Sequence, residues 1–231
     1  MKAYLEFADI ELMEGVASSQ RDRLLIRLLS RLGCRVSEAL AIKDSEIDFN
    51  QNTITIKHLK RRIKLSCPGC KTSLSKRSRF CPGCGQIVEE IVKREQDYRR
   101  IRTLPIDSDT LSLLKEYVMS KQSAACYREA SLFNINRHRA WQIVRDCGKR
   151  AGLPGLVNPE TGRTRGISPH RLRDAFSVHA MKMDDSGDGL RLLQEHLGHA
   201  SFDTTAKYRK IAGVEHRAWY DRLWKQNTFV R

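Results

Sequence analysis

Most of the chain repeats its hydrophobic residues every three or four positions, and two short stretches alternate strictly instead. From Ser19, SSQRDRLLIRLLSRLGC sets Leu24, Leu25, Leu28, Leu29 and Leu32 on one face, behind a serine cap and ahead of Gly33; this predicts a core helix with a defined start and stop. A short helix, SEALAI, follows the turn that carries Arg35, NTITI alternates as a strand over residues 52–56, and RRIRTLPI reads as a second strand ending near Ile106. Beyond it, SDTLSLLKEYV groups Leu111, Leu114 and Val118, and RHRAWQIVRDCGKRAG groups Trp141, Val144, Cys147 and Ala151 on one helical face that ends at Gly152. Residues 153–167 are polar and rich in Gly and Pro, a predicted loop. SPHRLRDAFSVHAMKM, GLRLLQEHLG and TTAKYRKIAG predict three more helices, and the tail VEHRAWYDRLWKQ has helical spacing at 214, 218, 219, 223 and 224. The fold class is therefore mainly α with a small antiparallel β-sheet (α+β).

Charge narrows the function. The formal net charge is +15, and between Lys57 and Arg102 fourteen Lys and Arg face four Asp and Glu, so most of the excess sits in one-fifth of the chain. A polyanionic partner follows, with nucleic acid ahead of anionic lipid, and a solvated charged face as the plain alternative. No apolar run approaches the ~18 residues of a spanning helix. The opening MKAYLEFADIELMEG carries four acids and no signal-like stretch. The expectation is a cytoplasmic protein that is not in a membrane.

The basic segment also holds Cys67, Cys70, Cys81 and Cys84 as CPGC-x10-CPGC. Two tight turns that each present a pair of thiolates suit tetrahedral zinc, and four sulfur ligands leave no open position for a reacting water, so the metal is expected to be structural. A segment with so little apolar material needs such a cross-link to fold. A pair of disulfides is the alternative, disfavoured in the cytosol. Cys34, Cys126 and Cys147 stand singly and read as small buried residues.

Two further stretches carry candidate chemistry. In ISPHRLRDAFSVHA, Ser168 and Pro169 begin a helix whose first turn presents His170 and Arg173 three apart. In EHLGHASFDTTAKYRK, His199 stands nine residues before Tyr208, which lies between Lys207 and Arg209. A phenol among cations fits a site that binds phosphate, since the charges that hold the anion also favour the phenolate.

GCRVSEAL, HRLR at 170–173, LGHAS at 197–201 and Tyr208 together resemble the signature boxes of the tyrosine recombinase (phage integrase) family, in order and in spacing. The resemblance implies that family's catalytic-domain fold and a DNA strand transferase working through a 3′-phosphotyrosyl intermediate without ATP. It makes Tyr208 the nucleophile, Arg35 and Arg173 the pair that grips the scissile phosphate, His170 the acid/base group near the tyrosine, and His199 the residue that donates to the phosphate or braces it. Glu38 matches the acid that orients an arginine. The general acid for the departing 5′-oxygen is assigned to Lys60 in the hairpin turn, with Lys57 as the fallback.

Two departures accompany the resemblance. Fewer than 20 residues precede the first predicted helix, so the family's N-terminal core-binding domain is expected to be absent. The cysteine segment interrupts the hairpin, dividing the chain into a catalytic domain over 1–60 and 101–231 and an inserted zinc-ribbon-like finger over 61–100. That finger is expected to extend the DNA contact through Lys57, Arg61, Arg62, Arg99 and Arg100, or else to dock a protein. Expected partners are double-stranded DNA, further copies in a tetrameric synapse, and a separate core-binding or accessory protein. The rival functions are supercoil relaxation in the manner of a type IB topoisomerase and a catalytically idle DNA-binding protein.

Overall fold

The leucine-rich stretch after Ser19 becomes the helix around which most of the fold packs. The computed structural model describes residues 2–57, 62–75, 78–88, 92–96, 101–122, 131–158, 161–199, 202–206 and 208. In chain order the elements are α1 (Phe7–Gly15), α2 (Gln20–Arg31), α3 (Val36–Ala41), β1 (Ile47–Asp48), β2 (Thr53–Lys57), β3 (Arg62–Ser66), β4 (Ser73–Leu74), β5 (Val92–Gln96) and β6 (Ile101–Pro105). They continue with α4 (Ser108–Gln122), α5 (Arg137–Arg150), β7 (Leu156–Val157), β8 (Thr164–Arg165), α6 (Pro169–Met183), α7 (Gly187–Leu197) and α8 (Asp203–Ala206). The chain separates into two compact units, Met1–Ile56 with Arg102–Arg231, and Lys57–Ile101. Among the described residues no helix is long and apolar enough to cross a membrane.

In the helical unit, α2 buries Leu24, Leu25, Ile26, Leu28 and Leu29 and packs against α1, α3, α4, α5 and α6. Its start is capped as expected: the Ser19 hydroxyl accepts the Asp22 amide at 3.2 Å, an arrangement that contributes about 1 kcal/mol. Gly33 ends this region at φ +56°, where a Cβ would lie 2.5 Å from the Phe176 ring. Left-handed backbone and close packing together admit only glycine there. β1, β2 and β6 form one sheet in that order, with Ile47 opposite Ile54 across the antiparallel β1–β2 pair. Ile54 and Ile56 point into the core, so the alternation of NTITI is a buried face and a partly exposed one.

Several elements differ from the sequence expectation, and residues 153–167, expected as a loop, hold the short paired strands β7 and β8. Residues 7–15 form α1, ahead of the first predicted helix. Its inward side includes the acids Asp9 and Glu14, which break the apolar periodicity; Asp9 accepts the Lys2 ammonium at 3.0 Å, and Glu14 accepts the Arg27 Nε at 2.8 Å. On α5 the buried face is Ala140, Ile143, Val144 and Cys147. Trp141, expected on that face, lies on the outer side, with the Arg145 guanidinium 4.8 Å from its ring centre. A large aromatic ring packs beside a cation at a wet surface as readily as in a core. Of TTAKYRKIAG, α8 is the described helical part; Cys126, Lys207, Arg209 and the predicted tail helix at 214–224 lie outside the described residues.

The second unit is built on an antiparallel sheet in the order β4-β3-β5, with Arg62 opposite Gln96 and Ser66 opposite Val92. Among the described residues its apolar cluster is Cys67, Leu74 and Cys81, with Leu65 and Val88 against them. The two CPGC turns repeat one hydrogen-bond pattern, Lys71 N–H to Cys67 O and Gly85 N–H to Cys81 O.

Candidate active site and cysteine cluster

Helix α3 begins at Arg35, and the residue three positions on, Glu38, reaches back to it. The buried Glu38 carboxylate accepts the Arg35 backbone amide at 3.0 Å and its Nη1 at 2.9 Å, so the guanidinium is held at the start of the helix while its outer edge meets solvent. Glu38 also accepts Nη2 of Arg102, on β6, at 2.7 Å. Sequence reasoning does not single out Arg102, yet its strand pattern carries the signal. Leu104 is buried, and Arg102 shares its inward register two residues away. The Arg102 Nε and Nη1 are buried without a hydrogen-bond partner among the described residues.

Arg173 projects from α6 into the core. It donates to the Gly33 carbonyl at 2.6 Å, the Leu197 carbonyl at 2.9 Å and His199 Nε2 at 2.9 Å. One guanidinium therefore ties the end of α2, the end of α7 and the histidine together. Burial first, and then the positive charge of Arg35, lower its pKa from the usual arginine range to about 10, which leaves it protonated at neutral pH. Because Nε2 of His199 accepts from Arg173, the proton of this imidazole is on Nδ1, 2.8 Å from the Thr205 hydroxyl. His199 in this state braces Arg173.

Gly198 makes that geometry possible. It caps α7 at φ +65° and ψ +40°, and a Cβ there would lie 2.7 Å from Arg102 Nη1. Gly198→Ala is expected to cost about 1–2 kcal/mol from the left-handed backbone alone, lowering the melting midpoint by about 2–4 °C per kcal/mol. An unchanged midpoint in thermal melting would show that neither the backbone nor Arg102 restricts this position.

Tyr208 is buried in a second apolar cluster with Val178, Met181, Leu190, Leu193 and Leu197. Its hydroxyl donates to Asp174 Oδ1 at 2.7 Å. Burial first, then the neighbouring carboxylate, raise the phenol pKa well above its ordinary value, against the opposing influence of Ser177 and Arg173. Asp174 is itself buried, and its other oxygen accepts Arg171 Nη1 at 2.9 Å. His170 is largely exposed, with Nε2 3.7 Å from the same Asp174 Oδ1 that faces Tyr208. Sequence reasoning passes over Asp174, although it stands one helical turn from His170. Ser168 occupies the cap position of α6, but its hydroxyl makes no capping bond.

The structure thus brings Arg35, Glu38, Arg173 and His199 into one connected region, with Tyr208 and His170 meeting at Asp174 one residue along α6. Lys60, Arg61, Arg99 and Arg100 lie outside the described residues, Lys57 is exposed, and of Arg62 only the backbone, paired in β3, is described. Cys34, beside Arg35, is buried, and that burial pushes its thiol up to about 12, so it is chemically quiet.

In the other unit the Sγ atoms of Cys67, Cys70, Cys81 and Cys84 all lie within 4.8 Å of one another. The Cys67–Cys84 and Cys70–Cys81 pairs are 3.7 and 3.3 Å apart. None of the four is in a disulfide, and these separations lie well beyond an S–S bond of ~2.05 Å.

The sequence matches the phage integrase family over residues 4–213. It is 27% identical over 210 residues to the tyrosine recombinase XerD of Mycobacterium tuberculosis, a match that takes in 87% of this chain and 54% of that protein. To the tyrosine recombinase XerA of Pyrococcus furiosus it is 26% identical over 196 residues, covering 83% of this chain and 50% of that protein. The chain therefore spans about half the length of these curated relatives. Among solved structures, the crystal structure of XerA recombinase superposes with a TM-score of 0.63 at 21% identity, over 97% of this chain and 66% of that one. That likeness is one of fold.

Proposed function

The chain belongs to the phage integrase family, and on that premise we propose that it is a site-specific recombinase that cuts and rejoins duplex DNA through a 3′-phosphotyrosyl intermediate. The observation that carries this reading is that the buried Arg173 holds His199 and sits one residue before the carboxylate that holds Tyr208, so a guanidinium, an imidazole and the phenol are fixed on one short stretch of α6. The positive charge of Arg35 adds to burial in lowering the pKa of Arg173, and a phosphodiester bound by both planar forks would offset that cost. The same donors stabilise the charge that builds on the non-bridging oxygens as phosphorus becomes five-coordinate.

In this proposal Tyr208 attacks phosphorus, Arg35 and Arg173 hold the phosphate, and Glu38 fixes Arg35. His199 keeps Arg173 in place, His170 serves proton transfer near the tyrosine, and Lys60 protonates the departing 5′-oxygen. Bond energy is retained in the phosphotyrosine, so rejoining needs no ATP. Support for a DNA substrate comes from the +15 charge and from the likeness in fold to the XerH site-specific recombinase bound to difH substrate (TM-score 0.58, 21% identity, 94% of this chain and 53% of that one). Each cut strand consumes one tyrosine, so exchange between two duplexes requires several copies assembled on DNA.

The segment 61–100 is proposed to be an inserted zinc-ribbon finger. Tetrahedral zinc with Zn–S near ~2.3 Å sets its sulfurs ~3.8 Å apart, and four sulfurs that all lie within 4.8 Å of one another, two pairs at 3.7 and 3.3 Å, are gathered on that scale. Cys67, Cys70, Cys81 and Cys84 would hold the ion, which would supply a cross-link and no step of catalysis. The basic residues of this finger then extend the contact with phosphates.

The test is covalent capture. A pool of randomised nicked duplexes incubated with the protein should yield an adduct that survives denaturation, and Tyr208→Phe should remove it entirely. Sequencing the captured DNA identifies the site, and mapping rejoined ends separates strand exchange from supercoil relaxation. An adduct that persists in Tyr208→Phe, or none from the unsubstituted protein, would sink the reading.

A further inference from the structure

The contact between Tyr208 and Asp174 has no place in the roles above. Tyr208 Oη donates to Asp174 Oδ1 at 2.7 Å. Arg171 occupies Oδ2 at 2.9 Å, which fixes the carboxylate plane and leaves Oδ1 for the phenol. His170 approaches that same Oδ1 at 3.7 Å. The order is therefore phenol, carboxylate, imidazole, with the carboxylate nearest the reacting oxygen.

We propose that Asp174 is the catalytic base that takes the Tyr208 proton, an inference that rests on the recombinase reading and refines the role given there to His170. The Oη–H bond breaks and its proton passes to Asp174 Oδ1 as the Oη–P bond forms. The P–O5′ bond breaks, and the leaving oxygen takes a proton from the general acid assigned to Lys60. On rejoining, the 5′-hydroxyl gives its proton back to the group assigned to Lys60 as its oxygen bonds to phosphorus, the Oη–P bond breaks, and Asp174 returns its proton to Tyr208 Oη. A carboxylate beside a buried phenol works against a preformed phenolate, and the raised phenol pKa agrees with that. The proton must therefore leave together with bond formation. An aspartate that receives a hydroxyl proton during phosphoryl transfer has precedent in protein kinases.

The competing account of the same geometry is a resting clamp that holds Tyr208 away from DNA, and the two accounts predict opposite signs. Asp174→Asn keeps the shape and still accepts a hydrogen bond, but it takes up no proton. On duplexes selected by covalent capture, single-turnover cleavage by Asp174→Asn should be about 10²–10³-fold slower, with DNA affinity close to that of the unsubstituted protein and a melting midpoint lowered by the lost ion pair with Arg171. The deficit should persist on a substrate with a 5′-bridging sulfur, whose thiolate leaves without a general acid. In a His170→Gln background, Asp174→Asn should impose a further loss.

Cleavage by Asp174→Asn at the unsubstituted rate or faster overturns the assignment in favour of a clamp. Rescue by the bridging sulfur overturns it by placing Asp174 on the leaving-group side. A double variant no slower than His170→Gln overturns it by reducing Asp174 to a support for the imidazole. The parent reading fails separately, through absence of any adduct from the unsubstituted protein, and the assignment falls with it.

Discussion

Arg173→Lys is expected to slow DNA cleavage by about 10²–10³-fold, the loss typical when a preorganised donor to a developing oxyanion is removed. The arginine satisfies two backbone carbonyls and one imidazole from a single planar fork, which a tetrahedral ammonium on a different stem does not reproduce. Burial compounds the defect. Arg173 can lose part of its basicity and remain charged because it falls only to about 10, whereas lysine begins near ~10.4 and the same surroundings bring it toward neutrality. Leaving part of the two carbonyls and His199 without a partner should also cost about 1–3 kcal/mol of stability. Cleavage assays paired with urea unfolding check both effects, and a fully active, equally stable Arg173→Lys variant would show that Arg173 is a plain core residue.

Removing metal from the cysteine cluster should produce the largest loss of structure. Among the described residues of the unit Lys57–Ile101, the apolar cluster is Cys67, Leu74 and Cys81 with Leu65 and Val88, and a unit of this size ordinarily needs a metal or other cross-link to fold. Structural zinc in small modules contributes on the order of 10 kcal/mol. Chelation, or Cys67→Ser, should therefore abolish amide protection over β3 and β5 while the α2-centred unit keeps its own melting transition. DNA affinity should fall and depend less steeply on salt, because fewer phosphates are then neutralised. Metal analysis that returns no bound zinc, or protection of β3 and β5 that survives chelation, would refute the proposal.

Much of this architecture is legible in the sequence because burial imposes a period. The leucines of α2, the isoleucines of β2 and the glycine stops at 33 and 152 all report local geometry that neighbouring residues determine. What escapes is polar and long-range. α1 is hidden because Asp9 and Glu14 take inward positions that only distant cations, Lys2 and Arg27, make tolerable. Trp141 reads as inward because periodicity does not tell a core ring from one stacked beneath Arg145. In the candidate site, Arg35, Arg173, His199 and Tyr208 belong to recognisable boxes, whereas Arg102 and Asp174 gain meaning only from partners brought by folding. Glu38 is 64 residues from Arg102 and Asp174 is 34 from Tyr208, distances along the chain at which spacing carries no information.

The adjacency of β2 and β6 in one sheet bears on how such a chain evolves. An excursion that departs and returns through hydrogen-bonded neighbours has its ends already pinned, so lengthening it adds only a slowly growing closure entropy, about 0.6 kcal/mol per doubling. The hairpin is thus a socket: a cassette can be spliced in, exchanged or discarded there while the helical unit keeps its own packing.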